Sequence, residues 1–171
     1  MVFSYYHRLS ATQRRTYRKS DARTTVALKN EVALQMRAEA VAQALRGGSQ
    51  PDVLAASQAL VDALTNQLGA PAVRLRVLTS RPYDTDGELH GLYEPLEGDR
   101  LARISVWMLT AKQRRVVAFR TYLRTLLHEM CHHLDYELFG LDESFHTEGF
   151  YKRESSLFNQ LVPGTPARAE A

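Results

Sequence analysis

The spacing of apolar positions changes character twice along the chain, and those changes divide it. From residue 11 to residue 68 the apolar residues recur at helical intervals. Ser10 is placed to cap a short helix over 11–19. A longer one is predicted over 22–46, with Val26, Leu28, Val32, Leu34, Met36, Val41 and Leu45 on its apolar side and Gly47-Gly48 as its stop. Pro51 opens a third helix, ended by Gly69 and Pro71, on which Val53, Leu54, Leu60, Val61, Leu64 and Leu68 share a face. The period then falls to two. Val73, Leu75 and Val77 alternate with Arg74 and Arg76, as in a half-buried strand, and 88–93 and 102–108 read as two more, with a loop at 80–87 and a turn at 95–100. In the last of them Ile104, Val106 and Met108 would face one way, Ser105 and Trp107 the other.

The helical period returns at Thr110-Ala111-Lys112-Gln113, a capping-box pattern. Val116, Phe119, Leu123, Leu126, Met130, Leu134 and Leu138 follow at intervals of three and four, up to a stop at Gly140. After a short connection over 142–146, a final helix is predicted over 147–161. The pattern therefore predicts an α+β fold in which a small antiparallel three-stranded sheet carries one long helix. Residues 1–70 would form an N-terminal helical extension packed on a core of 71–161, with 162–171 as a flexible tail.

The long helix carries the chemistry. His128-Glu129-Met130-Cys131-His132 is an H-E-x-x-H sequence in mid-helix, and four of the six histidines lie between 128 and 146. Residues four apart stand one turn above each other, so both imidazoles can reach one metal ion, while Glu129 sits at the edge of the same face, where it can take a proton from a metal-bound water. Thr121, Thr125, His128, His132 and Asp135 or Tyr136 line the side opposite the apolar stripe. A catalytic zinc takes three protein ligands, and His146, Glu148 and Glu154 are the candidates for the third. His146 is favoured, because a chain reversal at Gly140 would return it to the metal.

These residues resemble the SprT-like metallopeptidases, the group that includes Spartan. That family has a strand, then an H-E-x-x-H helix, then a third His in an H-x-x-x-F element opening the next helix. Here the counterparts are Ile104-Ser105-Val106-Trp107-Met108, then 128–132, then His146-Thr147-Glu148-Gly149-Phe150, and the resemblance covers about 73–161. It implies a zincin-like core, one Zn²⁺ per chain on His128, His132 and His146, and a zinc endopeptidase acting on protein or peptide substrates with Glu129 as general base. Where that family often has Gly-Pro after the third His, this chain has Thr147-Glu148, and the cysteine zinc ribbon common downstream in the family is not possible with Cys131 alone.

Other polar residues have narrower roles. Tyr151, Arg153 and Tyr136 are candidates for a second electrophile in the transition state. Asp135 is placed to hold a ligand imidazole through its free nitrogen. His133, 100° around the helix from His132, reads as a supporting or surface residue, and Cys131 as a small core residue. The sequence assigns no role to His7 or His90. The strand 102–108 is a candidate edge for substrate, with Trp107 lining the cleft.

Charge adds one feature. Residues 1–30 hold seven basic side chains against Asp21, a charge of +6 in a chain whose total is +3. Arg14, Arg15, Arg18 and Lys19, with Tyr5, Tyr6 and Tyr17 nearby, make weak DNA or RNA contact an expectation. A nucleic-acid-associated zinc protein, or a zincin-type regulator of one dedicated partner, is therefore the alternative to a peptidase. No signal peptide, disulfide framework or membrane span is expected, which points to a cytoplasmic, reducing setting.

Overall fold

The computed structural model describes residues 2–80, 83–84, 87–88, 90–95, 97–98, 100–110 and 113–164. Among these there are five α-helices and a three-stranded mixed sheet, an α+β arrangement. A 3-10 turn, Ser4–Arg8, precedes α1 (Ala11–Asp21), α2 (Glu31–Gly47) and α3 (Gln50–Leu68). The strands are β1 (Arg74–Ser80), the two-residue pair β2 (Tyr83–Asp84) and β3 (Gly87–Glu88), β4 (Gly91–Glu94) and β5 (Arg103–Leu109), followed by α4 (Phe119–Glu137) and α5 (Glu148–Leu161).

Ser10 caps α1 as a full capping box with Gln13, Ser49 caps α3, and Gly48 and Gly69 end α2 and α3 in the left-handed conformation that glycine adopts without strain. α2 starts at Glu31, nine residues later than its periodicity predicts. Over 23–29 the chain is non-helical, and side-chain amides replace helical hydrogen bonds: Gln160 accepts from Leu28 N–H (2.9 Å) and donates to the Val26 carbonyl (2.7 Å), while Gln67 accepts from Lys29 and Asn30. Asn30 then caps α2 through Ala33 N–H. Of the expected apolar face, Leu34, Val41 and Leu45 are buried, but Val32 and Met36 are exposed.

The sheet runs β1-β5-β4, with β4 antiparallel to β5 and β1 parallel to it. This corrects the expected all-antiparallel sheet. Alternation reports which face a residue takes and carries no information on strand direction, and the chain passes through β2, β3 and β4 before β5 inserts beside β1. β5 is consequently central. Ile104, Ser105, Val106, Trp107 and Met108 are all buried, so neither β5 nor Trp107 is available to substrate, and the edge on the helix α4 side is β4.

The capping-box pattern at Thr110 also does not start a helix. Thr110 Oγ1 accepts from Arg115 N–H (3.2 Å), Arg114 turns at φ 48°, and Val117 N–H returns to the Met108 carbonyl (2.8 Å), so α4 begins only at Phe119. Once begun, α4 buries Leu123, Leu126, Leu127, Met130, Cys131 and Leu134 completely. These join one apolar cluster with Leu34, Val41, Leu60, Leu64, Ile104, Val106, Phe150 and Phe158, so α2, α3, the sheet, α4 and α5 share a core. The expected tail falls mostly on 165–171, outside the described residues. No helix among the described residues is long and apolar enough to cross a membrane.

Candidate metal centre

His128 and His132 project from one side of α4, a turn apart, and the chain reverses after Gly140 (φ 58°) to bring His146 to them from the residues before α5. His146 Nε2 lies 3.0 Å from His128 Nε2 and 3.1 Å from His132 Nε2, and one donor atom from each ring falls within 4.8 Å of the others. These three side chains could hold a metal ion. Four ligands about 2.05 Å from a tetrahedral ion stand about 3.3 Å from one another, so the spacing suits such a site.

The other ring nitrogens decide which atom faces the cluster. His128 Nδ1 is 3.1 Å from Glu154 Oε2, and a carboxylate only accepts, so Nδ1 carries the proton and Nε2 keeps its lone pair. His132 Nδ1 is 2.7 Å from Ser144 Oγ, whose own proton goes to Asp135 Oδ2 at 2.8 Å. Ser144 must then accept from His132 Nδ1–H, which again leaves Nε2 free. Burial, together with His128 and His146 alongside, holds His132 down to about 3, and burial lowers His146 as well, so these imidazoles stay neutral and available to a cation.

Glu154 is therefore the support of His128 and stands behind it; Arg124 sits 3.5 Å from its other oxygen. Glu148, the third candidate, is half-buried and paired with Lys152 at 2.7 Å. Asp135 supports His132 through Ser144, and it is completely buried against Arg153 (2.6 Å). Burial raises the Asp135 carboxyl above its ordinary value while Arg153 and Ser144 pull it down.

Glu129 lies beneath β4. Its carboxylate accepts from the Tyr93 main chain, and only 6 % of the residue is exposed. Gly91 makes this possible, because a Cβ there would overlap the Glu129 carboxyl. Burial pushes Glu129 up to about 7, with Glu154 adding to the rise and His128 opposing it. A cavity of about 430 Å³ opens beside it, lined by His90, Gly91, Arg124, Thr125, His128, Glu129 and Glu154. A larger opening of about 520 Å³ lies elsewhere, among Arg74, Glu94, Arg100 and Arg103, and is bordered by none of the cluster.

Of the candidate electrophiles, Arg153 is fully buried and committed to Asp135 and to the Ser20 and Arg23 carbonyls. Tyr136 OH accepts from Ser144 N–H. Tyr151 is 43 % exposed and its ring stacks on His146 at 5.9 Å, which leaves it on the rim of the cluster. His133 is a core residue: its Nε2–H donates to the Pro71 carbonyl (2.8 Å) and its Nδ1 accepts from Tyr93 OH (3.2 Å). Cys131 is buried and its thiol is pushed up by burial. In the basic arm, Arg14 bonds the Tyr6 and His7 carbonyls and Arg18 the Tyr6 hydroxyl, Tyr17 is fully buried, and Arg15 and Lys19 are exposed.

Gly91, Ser144 and Tyr93 have no sequence signal of their own, since their contribution arises only from what β4 and the 141–147 segment are packed against. The chain matches no family model, no curated protein and no solved structure. Function is therefore read from this site alone.

Proposed function

We propose that the chain is a zinc-dependent endopeptidase of the SprT-like, zincin type, with His128, His132 and His146 as ligands and Glu129 as general base. The observation that carries this reading is the convergence of three imidazole Nε2 atoms beside a carboxylate, Glu129, that is buried next to them. All three donors are nitrogens of borderline softness, the two on α4 have their tautomers set by neighbours, and three ligands leave a position for water, which fits a catalytic zinc. When bound, zinc supplies Lewis acidity, polarising a peptide carbonyl and making a water acidic near neutral pH.

The protein groups do the rest. Glu129 takes the proton of the attacking water as the carbonyl is attacked, and then passes it to the departing amine. Burial beside the cluster raises its carboxyl, which favours its holding the proton between the two halves of that task. A structural metal would have no use for such a group. Tyr151, at the rim and with its phenol raised by burial, stays protonated and is the remaining donor for the developing oxyanion. The β4 edge beside Glu129 offers main-chain groups to an extended peptide, which gives binding without a strict sequence requirement.

The test is a paired measurement on purified protein. Wild type should contain one zinc per chain and cleave an unfolded protein. Glu129→Gln should keep the zinc and the fold and lose at least about a thousandfold in rate. Undiminished cleavage by Glu129→Gln, or a wild type that binds zinc and cleaves nothing, would overturn the peptidase reading.

A further inference from the structure

The three candidate ligands are held in different ways. His128 and His132 ride on a helix, and each is oriented through Nδ1. His146 sits on the irregular segment between α4 and α5, and among the described residues its Nδ1 has no hydrogen bond. A ligand must be held to within about 0.5 Å to bind productively, and a segment without regular structure does not provide that by itself.

The N-terminal 21 residues provide it. They contact the 143–149 segment at nearly every second position. Gln13 Nε2 donates to Glu143 (3.0 Å), and Tyr5 stacks on Phe145 at 6.4 Å. Tyr5 OH donates to the main-chain carbonyl of His146 itself, at 2.9 Å. Ser20 meets Thr147, and Asp21 accepts from Gly149 N–H (2.9 Å), where a Cβ would strike the Asp21 main chain. Tyr5 is in turn braced edge-on by Tyr17, 5.9 Å away, and the turn that carries it is pinned by Arg14.

We infer that Tyr5 is a positioning residue for the third metal ligand, setting the place of His146 through its carbonyl in the way that Glu154 and Ser144 set the other two rings. The first turn of the chain is on this view part of the metal centre. The inference rests on the reading of His146 as a ligand.

The experiment uses the full chain with zinc affinity measured by chelator competition and, after substitution with Co²⁺, the visible absorption band that reports ligand geometry. Tyr5→Phe keeps the ring and loses only the hydrogen bond. It should melt close to wild type, bind zinc about tenfold more weakly and shift the Co²⁺ band, with Tyr5→Ala weaker again, by about a hundredfold. Tyr6→Phe, which loses a bond to Arg18 in the same turn, should leave both readouts unchanged. Wild-type affinity and spectrum in Tyr5→Phe would overturn the inference, as would an equal loss in Tyr6→Phe, which would mean that general packing of the arm is responsible. His146→Ala separates the two levels. If it binds zinc poorly while Tyr5→Phe is normal, only the positioning role fails; if it binds zinc like wild type, the ligand reading fails.

Discussion

His128 and His132 face the same cluster with different backing. Behind His128 stands one carboxylate, Glu154, which borders an open cavity and shares its charge with the part-exposed Arg124. Behind His132 stands a relay, Ser144 then Asp135 then Arg153, whose last two members are completely buried and whose guanidinium also holds the carbonyls of Ser20 and Arg23. Both arrangements put the proton on Nδ1 and the lone pair on Nε2. The difference is in what else depends on them. Glu154 should be dispensable outside the cluster, whereas the relay ties α4 to α5, to the end of α1 and to the segment that follows it, so that losing it should loosen the fold.

The largest effect should come from the buried end of the relay. Arg153→Met leaves Asp135 as an uncompensated buried charge and frees two carbonyls, and should cost about 3–5 kcal/mol in urea unfolding of the metal-free protein. Adding Asp135→Leu should return part of that loss. A single variant that unfolds at the wild-type urea concentration would erase the distinction between the two supports.

Glu129 lies between the two histidines, and its contribution is visible in pH dependence. Its native value of about 7 is above its ordinary 4.5 because of burial. Below about pH 4.5 it is protonated whether folded or not. Between there and about pH 7 the native state keeps a proton that the unfolded chain has released, so stability is lost as pH rises. In chelator-treated protein, Glu129→Gln should flatten that decline and gain on the order of 2 kcal/mol at pH 8. A pH profile of stability that is the same for both proteins would mean that the carboxyl is better solvated than its surroundings imply.

Glu154→Gln should lower zinc affinity about tenfold, through loss of the charge behind His128, and change unfolding free energy by less than about 1 kcal/mol. The smallest effect is expected for Ser144→Ala, which removes the first member of the relay and leaves its buried ion pair. A few-fold loss of zinc affinity with a near-normal unfolding midpoint would place the stabilising part of the relay in Asp135 and Arg153. If Ser144→Ala proves as destabilising as Arg153→Met, the relay acts as one indivisible unit.

How much of this could be read in advance depended on whether the signal was local. The spacing of His128 and His132 is a property of one helix, and His146 follows from a chain reversal a few residues long, so all three could be proposed together. Glu154 could be recognised as near the histidine cluster, but one turn of α5 decides whether it meets the centre of the cluster or the back of His128, and that depends on how α5 docks on α4. Asp135 and Arg153 looked like two independent polar residues because their partnership spans 18 positions and two helices. Strand direction was hidden because β1 and β5 have the same alternation whether parallel or not. The non-helical stretch at 23–29 was hidden because its hydrogen bonds come from Gln67 and Gln160, far along the chain.

Gly91 has a mechanical consequence. Where β4 crosses α4, the strand and the helix are in touch through a backbone and a carboxyl, with no side chain between them as a cushion. Gly91→Ala would act as a wedge, parting the two elements at the Glu129 carboxyl. The reverse also holds: a push on β4 reaches Glu129 directly, because the strand roofs the carboxyl and binds it through the Tyr93 main chain. Strand and carboxyl are geared together, so a shift of β4 is transmitted to Glu129 across a contact too close to admit a methyl group.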